Sequence, residues 1–391
     1  MRAIIIGAGI GGATAAIALR HVGIQTQVFE RAPAPGEVGA GITIWGNAVH
    51  ALRTIGADEP VIAAGAVLQY GELRTARGRI LKATDVGAAD RALGMPSILL
   101  HRADLLDALL GQLPPDVVRF GRRFVGFRQD PEGVTAFFDD NTRERGDILI
   151  GADGINSTVR TGLLGSAPPR YSGYTCWRGV AHLPADTVAD GYVCEHWGRG
   201  ARFGIVHIGA AKDGGGGRRI YWYATRNAPP GGRDASPEAA KAALISAYGD
   251  WCDPIPAVIA ATDPAAILRN DIIDRPPTRL WTRGRVALLG DAAHATTPNI
   301  GQGACMAIED AAVLAQCLTT VGEEAAPEAA LAAYAYLRYS RTARITRFSW
   351  WLGRVAQMES AALCALRDRV FAAMPIGMIL RDHRKTVGYR A

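Results

Sequence analysis

At 391 residues, 49% apolar and 20% charged, the chain has the composition of a soluble globular protein and the length for two domains and a large core. Its net charge of +6 comes with no dense Lys/Arg tract, which argues against a nucleic-acid partner, and no apolar run reaches the length of an integral membrane segment. Six scattered cysteines without CxxC and eight histidines without HExxH point to reduced thiols in a cytoplasmic protein that binds no metal.

The opening stretch MRAIIIGAGIGGATAAIALRHVGIQTQVFER organises the rest. Residues 3–6 read as a strand buried on both faces. Gly7, Gly9 and Gly12 then form GxGxxG, and Ile10, Ala13 and Ile17 recur at helical spacing up to a stop near Gly23. A second strand, 26–29, leads to Glu30, eighteen residues after Gly12. Strand, glycine turn, helix, strand and acid make a dinucleotide-binding βαβ unit. Gly7 permits the tight turn, Gly9 lets backbone approach a pyrophosphate, and Gly12 lets helix and strand pack closely. The helix N-terminus faces the phosphates with unpaired N–H groups, and Glu30 can accept bonds from ribose hydroxyls. The motif leaves NAD and FAD both open.

A Pro/Gly-rich loop follows, then a short helix capped by Asn47, with Ala48, Leu52 and Ile55 on one face and Gly56 at its end. Residues 68–84 read as paired strands. HRADLLDALLGQL is a helix with a leucine stripe and Arg102 at its start, where a guanidinium can meet a phosphate or a flavin. Segments 117–120, 124–128 and 134–138 read as an antiparallel ribbon, and 147–150 as an apolar strand entering GADGINSTVR, where Asp153 puts an acceptor into the turn. Residues 171–266 alternate and are rich in Trp and Tyr, the pattern of an antiparallel sheet with one covered face. The loop AKDGGGG joins two of its strands as a flexible tip, and 236–261 is helical with interruptions at Pro254 and Pro256.

RVALLGDAAH returns to a buried strand. Asp291 after it needs a partner that sugar hydroxyls would supply. Gly301 and Gly303 admit a ligand close to the backbone, and an amphipathic helix over 302–318 aims its positive end there, where it would stabilise charge on a reduced flavin. His294 in this loop reads as a hydrogen-bonded structural histidine. The chain from Pro327 is mainly helical. Its segment LRYSRTARITRFSWWLGRV reads as a helix packed on the nucleotide domain, with a membrane surface or a dimer contact as alternatives.

These stretches resemble, in order and spacing, the single-component FAD-dependent aromatic hydroxylases of the para-hydroxybenzoate hydroxylase fold. GAGITIWGNAVHAL and GDAAHATTPNIGQGACMAIEDA are most similar to the branch holding bacterial urate hydroxylase, salicylate hydroxylase and 3-hydroxybenzoate 6-hydroxylase. The resemblance implies an α/β fold: a Rossmann-like, GR2-type FAD-binding domain (1–70, 96–170 and 267–391, with C-terminal helices) and an inserted antiparallel-sheet substrate domain (71–95 and 171–266). It implies FAD contacts from Gly7, Gly9, Gly11, Gly12, Glu30, Arg31, Gly41, Thr43, Arg102 and Phe124, and from Asp153, Asp291, Pro298, Gly301, Gln302, Gly303 and Ala304. NADH or NADPH serves as a transient cosubstrate without a second GxGxxG.

Arg202 and Tyr221 fall where the urate enzyme has active-site Arg and Tyr residues. With His207 they are the candidate catalytic residues, and Arg178 and Tyr223 the candidate substrate contacts. CWRG at 176–179 replaces asparagines of the urate enzyme, removing amides that could read a purine. The implied reaction is hydroxylation of a small aromatic or heteroaromatic substrate by dioxygen, through a flavin C4a-hydroperoxide, in a monomer or homodimer. The alternatives are a flavin-dependent epoxidase or reductase acting on an isoprenoid, and a flavin-binding sensor without turnover.

Overall fold

The computed structural model describes residues 1–36, 40–210, 217–320 and 326–391, so the AKDGGGG loop lies almost wholly outside the described residues. A six-stranded sheet carries the opening motif. Its order is Thr282–Arg283, Val286–Leu288, Ile148–Gly151, Arg2–Ile6, Gln25–Phe29 and Val118–Arg119. All pairs are parallel except the Thr282–Arg283 edge. Ala3, Ile4, Ile5, Ile148, Leu149 and Ile150 have no exposure, because both faces are covered. Helices Ile10–His21 and Gly303–Thr320 pack together on this sheet. A three-stranded antiparallel ribbon supplies Phe138, whose ring centroid lies 4.6 Å from that of Phe29.

The ribbon corrects the sequence reading in one strand. Residues Val118–Arg119 join the parallel sheet beside Gln25–Phe29, and the third ribbon strand is Arg143–Gly146. The sequence RERG shows no apolar alternation, since only its edge contacts hold it. Asn47 is a second correction. Its helix spans Gly46–Thr54 with Trp45 before it, and the Asn47 amide points into the interior to reach Gln302 Oε1 at 3.0 Å and Glu309 Oε1 at 2.6 Å.

A seven-stranded sheet faces the first. Its order is Leu268–Asp274, Arg170–Leu183, Arg218–Asn227, Ala201–Ala210, Tyr192–Trp197, Tyr70–Thr75 and Ile80–Asp85. Here the expected antiparallel sheet is mixed, because Tyr70–Thr75 pairs parallel with Tyr192–Trp197. The period of two divides its side chains. Trp177, Phe203, Ile205 and Trp222 point to the far face and pack against Leu244, Tyr248 and Val258 of helices Pro237–Tyr248 and Ile255–Ala260. The near face looks toward the glycine turn.

Helices Pro327–Ala356, Ala361–Ala373 and Ile376–Val387 complete the chain. The basic stripe of the first is partly interior: Arg338 and Arg341 are buried against Glu309 and Asp310, and the Arg170 guanidinium lies 3.4 Å from the Trp350 ring centroid. Among the described residues no helix is long and apolar enough to cross a membrane, and no group of three or more His, Cys, Asp or Glu is arranged around a metal position. All six cysteines are free thiols.

Candidate active site

The glycine turn has the geometry its residues demand. Gly7 has φ +101°, and a Cβ there would meet the Ala152 carbonyl oxygen at 2.5 Å. A Cβ on Gly12 would lie 1.9 Å from the Gly7 oxygen, whereas one on Gly9 meets nothing within 4 Å. Gly9 therefore keeps open space above the first turn of helix Ile10–His21. Glu30 fixes the turn from the side, its two oxygens accepting N–H groups of Ala8 and Ala32 at 2.9 Å each.

One cavity of about 470 Å³ lies between the two sheets. Its floor includes Gly9, Gly11, Gly41, Thr43, Arg102 and Asp291. Pro298, Gly301, Gly303 and Ala304 close one end, and Arg178, Arg202, Tyr221 and Tyr223 form the roof. The opening motif and the loop after Asp291 thus share one wall system, although some 280 residues separate them in sequence. Gly290 and Gly301, both near φ +62°, turn the chain on either side of the short helix Asp291–His294.

Several expected residues lie off this wall. Gly7 and Gly12 shape the turn from beneath, and Arg31 is exposed. Phe124 is buried in the core edge-on to Phe138, which corrects its side chain's expected contact with the cavity. Asp153 caps the next helix, with Oδ2 accepting the N–H groups of Thr158 and Val159, while its buried Oδ1 has no partner. Burial pushes its pKa up. Gln302 is turned inward to Asn47. His207 is the clearest correction. Strand alternation sends Arg202 and Val206 to the cavity and His207 to the other face, where Nδ1 accepts the Gly191 N–H at 3.1 Å.

Asp291 is exposed into the cleft, yet the protein around it raises its pKa by desolvation, opposed by His294 and Arg102. Such a carboxyl is matched to hydroxyl donors. Arg202 is nearly inaccessible and fully engaged: Nε donates to Gln357 Oε1 at 2.9 Å, Nη1 to Glu195 Oε1 at 3.0 Å and Nη2 to Asn299 Oδ1 at 2.8 Å. It ties the roof to the 290s loop. Arg178, by contrast, has no carboxylate partner among the described residues, and faces Tyr221. Burial raises the Tyr221 pKa to about 12 against the opposing pull of Arg178.

His294 is structural, as its sequence context suggests. Its Nε2 lies 2.5 Å from Asp310 Oδ2, and Asp310 also accepts Arg338 Nε at 2.7 Å and the Gly290 N–H at 3.1 Å. Burial alone would raise the Asp310 pKa, but His294 and Arg338 outweigh it and hold the carboxyl at about 2. Glu309 collects Asn47, Arg338 and Arg341. This buried network sets the loop from behind. Sequence reasoning missed it, and missed Glu195 and Asn299 on the cavity wall. The alternation of Val193, Glu195 and Trp197 in YVCEHW is the signal that could have found Glu195.

The FAD binding domain family matches residues 1–349. The aurachin C monooxygenase/isomerase of Stigmatella aurantiaca is 43% identical over 371 residues, covering 95% of this chain and 94% of that protein. The chloroplastic zeaxanthin epoxidase of Solanum lycopersicum is 38% identical over 326 residues, covering 81% of this chain and 47% of the epoxidase. Among solved structures, Klebsiella pneumoniae HpxO complexed with FAD and uric acid has a TM-score of 0.90 at 30% identity, covering 99% of this chain and 96% of that one. The fold and cleft are those of a class A FAD-dependent hydroxylase. The chain belongs to the FAD binding domain family and is an FAD-dependent monooxygenase. Its residues fit that cofactor: an open cradle at Gly9, a helix N-terminus at Ile10 with no side-chain cap, and a carboxyl facing the cleft at Asp291.

Proposed function

We propose that the enzyme hydroxylates a small planar aromatic or heteroaromatic compound held under the roof of the seven-stranded sheet. The observation that carries this reading is the shared cavity, whose floor is dinucleotide-binding backbone and whose roof is aromatic and cationic. Gly9, Gly11 and the first-turn amides are the proposed pyrophosphate contacts, Glu30 the ribose contact, and Arg102, Asp291 and the 298–304 loop the contacts toward the flavin end. Bound FAD supplies the site that accepts hydride from NADH or NADPH and activates dioxygen.

The protein's own residues do the placing. Ile42, Val193 and Val206 give the substrate space apolar walls, which limit water. Arg178 sets a positive charge beside Tyr221, so a substrate hydroxyl bound there ionises more readily and its ring becomes a better nucleophile. Six free thiols support a reducing compartment, in keeping with a cytoplasmic enzyme.

The test is a panel of phenols, salicylates, quinolones and purines added to the FAD-loaded protein under ¹⁸O₂, following NAD(P)H consumption, peroxide and product mass. The expected result is that one class accelerates NAD(P)H oxidation with little peroxide and its product gains one ¹⁸O. The 38% identity to zeaxanthin epoxidase supports a second reading, oxygen transfer to an isoprenoid double bond. Acceleration by a polyene alone would replace the first reading with the second. FAD that stays oxidised with every ligand would leave a sensor.

A further inference from the structure

A surface helix normally buries an apolar stripe and exposes its charges. Helix Ala361–Ala373 does the reverse. Its buried side chains are Cys364 and Arg367. Arg367 donates from Nη1 to the Ala356 carbonyl at 3.1 Å and from Nη2 to the Gly198 carbonyl at 3.2 Å, and its guanidinium lies 4.9 Å from the Trp197 ring centroid. Phe371 packs edge-on to the same indole, with centroids 4.7 Å apart. Lys82 Nζ donates to the Ala372 and Met374 carbonyls at 3.0 and 2.7 Å and pins the end of the helix. These contacts fix its rotation. Leu363, Leu366 and Val370, at i, i+3 and i+7, are left sharing the outer face, 51%, 57% and 51% exposed.

The bias extends over the last three helices. Among the described residues, nine of the sixteen exposed large apolar side chains lie between Tyr336 and Met378. Phe348 and Trp351 are two of them, stacked with centroids 6.0 Å apart. Charge follows the same division. Residues 327–391 hold 11 Lys and Arg against 4 Asp and Glu, an excess larger than the +6 of the whole chain, so the residues before them are slightly acidic. On helix Ile376–Val387 the exposed Arg381, Arg384 and Lys385 share one face with the exposed Met378.

Apolar side chains concentrated on one part of a surface mark a place of interaction, and the charge around them selects the partner. A second copy meeting this one across a two-fold axis would bring the same cationic surface against itself. Lipid phosphates would neutralise it. Leucine, tryptophan and phenylalanine exposed beside arginine and lysine are the make-up of helices that lie in the plane of a lipid interface. Such binding needs no spanning helix, and none of the described helices is long and apolar enough to span.

We propose that the C-terminal helices, centred on Leu363, Leu366 and Val370, dock the protein peripherally on an anionic lipid bilayer. The apolar side chains enter the boundary between headgroups and acyl chains, and Arg381, Arg384 and Lys385 meet the phosphates. Arg367 and Phe371 hold the leucines outward, so the docking face stands ready without rearrangement.

Co-sedimentation of the FAD-loaded protein with vesicles tests this, using equal parts phosphatidylglycerol and phosphatidylcholine against phosphatidylcholine alone. The expected binding is at least about tenfold tighter to the anionic vesicles and weakens in high salt. Leu363→Ser combined with Leu366→Ser is expected to weaken it at least about tenfold, and Arg381→Gln combined with Arg384→Gln at least about fivefold. Val125→Ser, at an exposed apolar residue of the ribbon, is expected to leave it unchanged. Bound-FAD absorbance and Tm report that each variant folds. No binding to anionic vesicles, equal binding to neutral ones, or binding that survives the paired leucine substitution would overturn the proposal. A dimer seen by light scattering that the leucine substitutions dissolve, without vesicle binding, would overturn it by assigning the surface to a second copy.

Discussion

A Cβ on Gly12 would sit 1.9 Å from a backbone oxygen, and a Cβ on Gly9 would meet no protein atom within 4 Å. Two glycines of one motif therefore protect different things. Gly12→Ala is expected to destabilise the FAD-free protein by about 2–3 kcal/mol in thermal unfolding, because backbone must shift. Gly9→Ala is expected to change that stability by less than about 1 kcal/mol while raising the Kd for FAD, read by flavin fluorescence quenching. Equal effects of the two on stability would contradict this division. Residue by residue, the sequence revealed glycines and acids bound to a fixed local geometry, such as Glu30 on Ala8. It did not reveal the phase of alternation in RFGIVHI, so His207 reads from sequence like a cavity residue although it faces away. Glu195 needed tertiary register before its place beside Tyr223 and Arg202 could be seen.

Helices Gly303–Thr320 and Pro327–Ala356 are joined by Glu309 and Asp310 on one and Arg338 and Arg341 on the other, all buried. Arg338→Met removes the guanidinium that bridges both buried carboxylates. It is expected to destabilise the fold by about 3–5 kcal/mol, measured as a lower urea midpoint. A loss under about 1 kcal/mol would contradict that role. The same network gives a pH dependence. Asp310 is held at about 2, below its ordinary 3.8, so its contribution is present above pH 4 and is lost as pH falls toward 2. Burial lowers His196 to about 4 from 6.5, so the unfolded chain takes up its proton first and stability falls from pH 6.5 downward. Tm is expected to decline from about pH 6.5 and more steeply below 4. A Tm constant down to pH 4 would contradict the His196 part. Elements with their own periodicity, such as Ile10–His21 and Gly303–Thr320, were legible in the sequence. Arg143–Gly146 was not, because its one partner strand, Gly133–Phe138, rather than its own pattern makes it a strand.

At the scale of the molecule, two sheets whose strands interleave along the sequence close on one cleft. The glycine turn and the 290s loop meet because the strands they follow, Arg2–Ile6 and Val286–Leu288, flank Ile148–Gly151 in one parallel sheet, while Asn299 ties the loop to Arg202 of the roof and Asp310 braces it through His294. Family order and spacing made this convergence legible, since each motif marks where backbone must come near a ligand. The polar wiring of the roof was not legible, because Arg202 is held by Glu195, Gln357 and Asn299, which lie on other elements. Electron density for FAD in crystals grown with it tests the central claim most directly. The expected density is continuous, with its dinucleotide end against Gly9, Gly11 and Glu30 and its flavin end between the 298–304 loop and the Tyr221–Tyr223 roof. Flavin density away from that cavity, or FAD bound without contact to the 298–304 loop, would contradict it.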